Sequence, residues 1–183
     1  MPEGGYKIRN KDGIYFITFA VVEWVDVFTR SDYADIVLAS LRYCQNEKGL
    51  DIYAWCIMSN HVHMIISAKN GDLSNVLRDF KKFTSKAIIV AIQENDGESR
   101  RDWMLQIFME AGERNSRNQS FQFWKQDNHP IELFSNAFMD QKLKYLHDNP
   151  VVAGIVDNAS DYRYSSARNY EGRKGLLEVL LLE

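Results

Sequence analysis

Cys56-Ile57-Met58-Ser59-Asn60-His61-Val62-His63-Met64-Ile65-Ile66 sets two of the chain's four histidines two residues apart inside an apolar run. Residues i and i+2 of a β-strand point to the same face, so the imidazoles of His61 and His63 stand side by side while Val62 and Met64 face the other way. Two neutral imidazoles at that spacing can share one divalent cation, and they can equally be two surface histidines on a half-exposed strand. Met58-Ser59-Asn60 is polar and turn-prone, and the apolar run follows it, which puts the pair at the mouth of a strand.

Working outward, Ile52 to Met58 reads as the preceding strand, joined to the histidine strand by Ser59-Asn60 as an antiparallel hairpin. Upstream, Ile14 to Val22 is rich in β-branched and aromatic residues and reads as a buried central strand. Between them, Ser31 is the expected N-cap of a helix over about 32–47, with Tyr33, Val37, Leu41 and Cys44 at helical spacing. Downstream, Leu73, Val76, Leu77, Phe80, Ala87, Ile88 and Ala91 mark a long amphipathic helix over about 73–94. Its other face carries Arg78, Lys81, Lys82 and Lys86, a basic stripe that fits either a solvated surface or phosphate binding.

Residues 95–120 are polar at both ends around a short helical segment from Trp103 to Met109, and read as an insertion. Its Arg100, Arg101, Arg114 and Arg117 either touch nucleic acid or keep a loop solvated. Phe121 to Lys125 alternates like a strand, and His129, before Pro130 in a turn-prone stretch, suits a structural or substrate-touching role. The order strand, helix, strand, strand, helix, strand is that of an α+β ferredoxin-like or RRM-like domain, an antiparallel sheet with helices on one face. Asn136 to Asn149 then reads as a further helix, with Ser135 as N-cap and Pro150 as its end. Tyr145 and Asn149 share a face of it at i, i+4, whereas His147 lies about 200° round the helix from Tyr145. A tyrosine on such a helix is ordinarily a core residue with its hydroxyl at the surface.

The stretch Met58-Ser59-Asn60-His61-Val62-His63 resembles the Met-Pro-Asn-His-hydrophobic-His strand of the HUH endonucleases, and within them the single-tyrosine transposases of small insertion sequences and their REP-associated relatives. Ser59 replaces the usual proline, at a position that shapes the turn. Tyr145-Leu146-His147-Asp148-Asn149-Pro150-Val151-Val152-Ala153-Gly154 resembles the family's second motif, and Ala159 to Tyr170 its C-terminal Tyr-x-x-Ser-Ser stretch. The resemblance, spanning about 14–171, implies an HUH-type catalytic domain that cleaves and rejoins single-stranded DNA. Tyr145 would be the nucleophile, forming a 5′-phosphotyrosine, with Tyr162 and Tyr164 next in line. His61, His63 and Asn149 would hold Mg2+ or Mn2+, and His147 would pack or touch DNA. Single-stranded DNA carrying a hairpin would be the substrate, gripped by Arg78, Lys81, Lys82 and Lys86, with Trp55, Phe123 or Trp124 available to stack on bases. Relatives include monomers and homodimers, and both remain open here.

Composition agrees with one folded domain over 1–183, with the polar insertion at about 95–120 and a C-terminal extension from about 157. Of its 183 residues 45% are hydrophobic and 13% aromatic, which excludes disorder. Two cysteines, no Cys-x-x-Cys, no signal-peptide core and no apolar run long enough for a membrane point to a cytoplasmic protein without a membrane partner. The net charge of -3 means that any nucleic-acid site must be a local basic patch. Two rivals share these features. An RRM-like module would bind RNA or single-stranded DNA through exposed sheet aromatics without cutting it. A hydrolase would use the histidines and a carboxylate to activate water.

Overall fold

The computed structural model describes residues 7–116 and 120–183; the Met1-Gly5 stretch and Arg117 lie outside them. Strands β1 (Tyr15–Ala20), β2 (Leu50–Ile57), β3 (His61–Ala68) and β4 (Ile131–Glu132) form one antiparallel sheet in the order β2-β3-β1-β4. With helices α1 (Ser31–Glu47) and α2 (Leu73–Glu94) between the strands, this is the expected ferredoxin-like arrangement. The hairpin turns at Ser59-Asn60, closed by the Met58 amide donating to the His61 carbonyl. No helix among the described residues is long and apolar enough to cross a membrane.

The sheet separates two apolar layers because its strands alternate. Tyr15, Ile17 and Phe19 of β1, Val62, Met64 and Ile66 of β3, and Ile52, Trp55 and Ile57 of β2 face α1 and α2. Phe16, Ala54, Cys56 and Ile65 face the other way, toward Leu133 and helix α4 (Asn136–Val152), whose Leu146 is fully buried there. Ile52 and Trp55 share a face although three apart, because the pairing register of β2 shifts between Ile52 and Ala54. The outer edge of β2 is covered as well. The Ile57 amide donates to the Tyr164 carbonyl, the Ser166 amide to the Trp55 carbonyl, and the Leu180 amide to the Ile52 carbonyl.

Three expectations change. Ser31 is the first residue of α1 and does not cap it; the N-cap position falls on Arg30, with no side-chain hydrogen bond. Phe121 to Lys125 is not a strand: Phe123 and Trp124 are neighbours and both buried, so the alternation is broken, and only a single bridge joins Trp124 to Val21. The fourth strand is instead the short Ile131–Glu132, paired with Tyr15 and Phe16. The segment 101–113 is a longer helix than its Trp103–Met109 pattern suggests. Helix α3 (Arg101–Glu113) inserts Met104 and Phe108 into the core against Phe123, and Gly112 is needed where the Ser120 carbonyl would lie 2.7 Å from an added Cβ. Arg100 and Arg30 both pair with the buried carboxylate of Glu98, which the Arg100 hydrogen bonds hold down at a pKa of about 2. Arg101 pairs with Asp96 and Asp102, and Arg114 with Glu110.

Candidate active site

His61 and His63 project from β3 onto the α4 side of the sheet, with ring centroids 4.6 Å apart. Each ring has one nitrogen tied down. Thr18 Oγ1 on β1 lies 2.8 Å from His63 Nδ1, and Asn60 Oδ1 lies 2.7 Å from His61 Nδ1. The Asn60 amide is oriented by its nitrogen, which donates to the Trp24 carbonyl and to the Asp26 carboxylate, so its oxygen must be the atom that faces His61. The oxygen only accepts, hence His61 Nδ1 carries the proton and Nε2 keeps its lone pair. Ser59 donates to the same Asp26 carboxylate at 2.7 Å, which gives the serine its own means of holding the turn.

His63 Nε2 is buried with no hydrogen-bond partner. An orphaned imidazole nitrogen beside a second free lone pair is what a divalent cation would satisfy, and the donor set fits one. Burial lowers the pKa of His61 and, with the charges of His61 and Lys142 adding to it, pushes His63 down to about 3. Both rings are therefore neutral, the form that binds a metal, well below the ordinary histidine range. Among the described residues no group of three or more His, Cys, Asp or Glu is placed to hold a metal ion.

Helix α4 brings the tyrosine. The Ser135 side chain accepts from the Phe138 amide and caps the start, as expected. Its end is different: Pro150 lies inside the helix, which runs on to Val152. The stop is Gly154 at φ +72°, where the Gly154 amide donates to the Val151 carbonyl and the Ile155 amide to the Pro150 carbonyl, a Schellman closure. Proline removes one donor, and the closure at Gly154, four residues later, stabilises the turn that contains it. Asn149 is consequently helical, its carbonyl accepting from the Ala153 amide, and stands one turn after Tyr145.

Tyr145 is half-exposed, and its ring meets His63 edge-on at 5.5 Å and Phe16 at 6.0 Å. Phe16 stacks on His63 at 5.3 Å, so one β1 side chain floors both the imidazole and the phenol. The reserve tyrosines are engaged elsewhere. The Tyr162 hydroxyl donates to the Ile57 carbonyl at 2.7 Å and burial raises its pKa, while Tyr164 donates to Asp35. His147 is buried against Ser166 and Tyr170, on the side of α4 away from the imidazole pair, and so packs. His129 pairs with Asp127.

The basic stripe lies on α2, in the layer opposite the imidazoles. Lys81 is used inside the fold: its ammonium donates to the Lys125 carbonyl and to Asn128 Oδ1, and burial lowers its pKa to about 8. Arg78 pairs with Asp79, and Lys82 and Lys86 are exposed along a cleft of about 810 Å³ between α2 and residues 120–126. Trp55, Phe123 and Trp124 are all buried and present no face to a base. A second exposed aromatic beside the imidazoles, besides Tyr145, is Trp24, which stands in no sequence motif. Its indole is 51% exposed, its ring lies 6.0 Å from that of His61, and Lys125 Nζ sits 4.0 Å over it. Glu23 and Trp24 both adopt positive φ, at 52° and 54°, a strained pair for side chains of this size.

With this geometry in hand, comparisons with known proteins are specific. A family model described as an IS200-like transposase matches residues 11–110, more than half the chain, a span that includes both imidazoles and ends before α4. The solved structure of a REP-associated tyrosine transposase bound to a REP hairpin matches with a TM-score of 0.64 at 18% identity, covering 91% of this chain and 84% of that one. No curated protein matches.

Proposed function

The chain belongs to the IS200-like transposase family, and from that premise we propose that it cleaves and rejoins single-stranded DNA through Tyr145. The observation that carries this reading is the edge-on approach of the Tyr145 ring to His63 at 5.5 Å within one chain. A half-exposed phenol beside an imidazole with a buried, unpartnered nitrogen is a nucleophile next to a cation site.

In this reading the Tyr145 oxygen bonds to phosphorus as the bond from phosphorus to the 3′ oxygen breaks. The phenol gives its proton to solvent and the 3′ oxygen takes one, leaving a 5′-phosphotyrosine and a free 3′-hydroxyl. Attack by another 3′-hydroxyl reverses the step and joins strands. His61, His63 and the Asn149 amide would hold Mg2+ or Mn2+, which would supply positive charge to polarise phosphorus and offset the negative charge of the transition state. Asn60 leaves the His61 lone pair free for it, and Thr18, accepting from His63 Nδ1, would do the same for His63. Trp24 offers a stacking face beside the imidazoles for a base next to the cleavage point. Lys82, Lys86 and Arg78, lining the α2 cleft, are the backbone phosphate contacts in this reading, whereas Lys81 serves mainly to hold residues 125–128. The hairpin bound by the structural relative makes hairpin DNA the substrate class to try first. Since Tyr145 and the imidazoles come from one chain, the reading needs no second copy.

The test is covalent capture. Purified protein is incubated with labelled single-stranded oligonucleotides and Mn2+ and run on a denaturing gel. A shifted, protease-sensitive band that disappears in Tyr145→Phe is expected, and an undiminished band in that variant would move the nucleophile elsewhere.

A further inference from the structure

Lys142 stands one turn before Tyr145 on α4, half-buried, with no acidic partner among the described residues. Its Nζ lies 5.0 Å from the ring centre of Phe16, 5.6 Å from that of Tyr145 and 5.8 Å from that of Phe138. Among the described residues it makes no hydrogen bond or ion pair, whereas Lys144, two positions on, pairs with Asp148. A partly desolvated ammonium without an acid costs free energy, and aromatic faces offset only part of that cost. It also rests on the same Phe16 that stacks on His63, which draws a second positive charge toward the cation site. Two cations held close together are at their most stable when an anion lies between them.

We propose that Lys142 is a catalytic residue that binds a non-bridging oxygen of the scissile phosphate and holds that phosphate against Tyr145. The role deepens the tyrosine-nuclease reading and rests on it. Lys142 keeps its proton throughout. While the Tyr145 oxygen bonds to phosphorus and the bond to the 3′ oxygen breaks, the ammonium balances charge on the phosphate oxygens and then on the phosphotyrosine. A lysine suits the position because a point charge on a flexible stem can leave the three rings for the phosphate without a fixed fork geometry. The rings hold it near the site while the site is empty.

The experiment has two stages. A random-sequence single-stranded DNA pool is incubated with the wild type and Mn2+, and sequencing of the covalent adducts gives a cleavable oligonucleotide and its scissile phosphate. That oligonucleotide is then made with an ordinary phosphate or a neutral methylphosphonate at that position. Its affinity is measured in EDTA for wild type, Lys142→Met and Lys142→Arg. The neutral linkage should weaken binding by the wild type about tenfold and by Lys142→Met less than about twofold, with Lys142→Arg recovering most of the wild-type sensitivity. With Mn2+ restored, Lys142→Met should form adduct about a hundredfold more slowly at a comparable melting temperature. Equal methylphosphonate sensitivity in wild type and Lys142→Met overturns the contact, whatever happens to the rate. So does adduct formation at the wild-type rate by Lys142→Met. Absence of any adduct with the wild type would instead overturn the nuclease reading, and the role of Lys142 would fall with it.

Discussion

His147 Nε2 lies 2.9 Å from Ser166 Oγ, and that one hydroxyl also receives the Trp55 amide at 2.9 Å. The tyrosine helix is thus hydrogen-bonded to the edge strand of the sheet through a residue two positions from Tyr145. Ser166→Ala should strand both a buried ring nitrogen and a buried amide, lowering stability by about 1–3 kcal/mol in urea denaturation. An unchanged midpoint and slope would mean that the link carries no weight.

Tyr145 and Tyr162 should separate cleanly. Tyr145→Phe removes a hydroxyl from a half-exposed ring, so covalent capture should vanish with stability changed by less than about 0.5 kcal/mol. Tyr162→Phe removes the donor to the Ile57 carbonyl, so capture should persist while stability falls by about 1 kcal/mol. Denaturing gels and melting curves on the two variants read both effects, and the reverse pattern would exchange their roles.

Metal affinity should depend on groups that do not touch the metal. Calorimetric titration with Mn2+ should lose its signal in His63→Ala. In Thr18→Val, which removes the partner of His63 Nδ1, affinity should fall about 10–100-fold. Wild-type affinity in Thr18→Val would show that the ring needs no such orientation.

The pH dependence follows from two buried imidazoles. Burial lowers His63 to about 3 and His147 to about 4, each from an ordinary value near 6.5. Between those values the unfolded chain binds protons that the folded chain does not. Stability is complete above about pH 6.5 and is lost as pH falls toward 4, with His147 alone accounting for on the order of 3 kcal/mol. Urea midpoints at pH 7.5 and 4.5 should differ accordingly, and His147→Gln should narrow the gap. The ordinary histidine pKa predicts release of metal below about pH 6. With both rings held neutral by burial, metal-dependent activity should extend below that point.

Trp24→Ala should weaken binding of single-stranded DNA by about 1–3 kcal/mol while leaving its salt dependence unchanged, since stacking involves no counterion release. Filter binding at several salt concentrations measures both. A change in salt slope without a change in affinity at low salt would assign the effect to Lys125 rather than to the indole.

The regular part of the fold was legible because its signals are local. Helices α1 and α2 announce themselves by 3.6-residue periodicity, the hairpin by its two-residue turn, and the shared face of His61 and His63 by strand parity. What stayed hidden depends on partners far along the chain. Lys81 looks like any exposed cation until residues 125–128 close over it. Phe123 and Trp124 read as alternating until both are enclosed, one by α3 and the other by the end of β1. Pro150 looks like a helix stop because the closure at Gly154 that carries the helix past it is a backbone arrangement, which spacing does not reveal. Trp24 and Lys142 matter through neighbours across the sheet, so neither stands out in sequence.

The covered outer edge of β2 bears on inheritance as well as on folding. Because the Tyr145 ring and the imidazoles meet within one chain, and the strand nearest the tyrosine helix is sealed by the C-terminal segment, the proposed reaction asks for one gene copy's product and no partner copy. A Tyr145→Phe product and a His63→Ala product mixed together would not complement, and neither would poison an intact one.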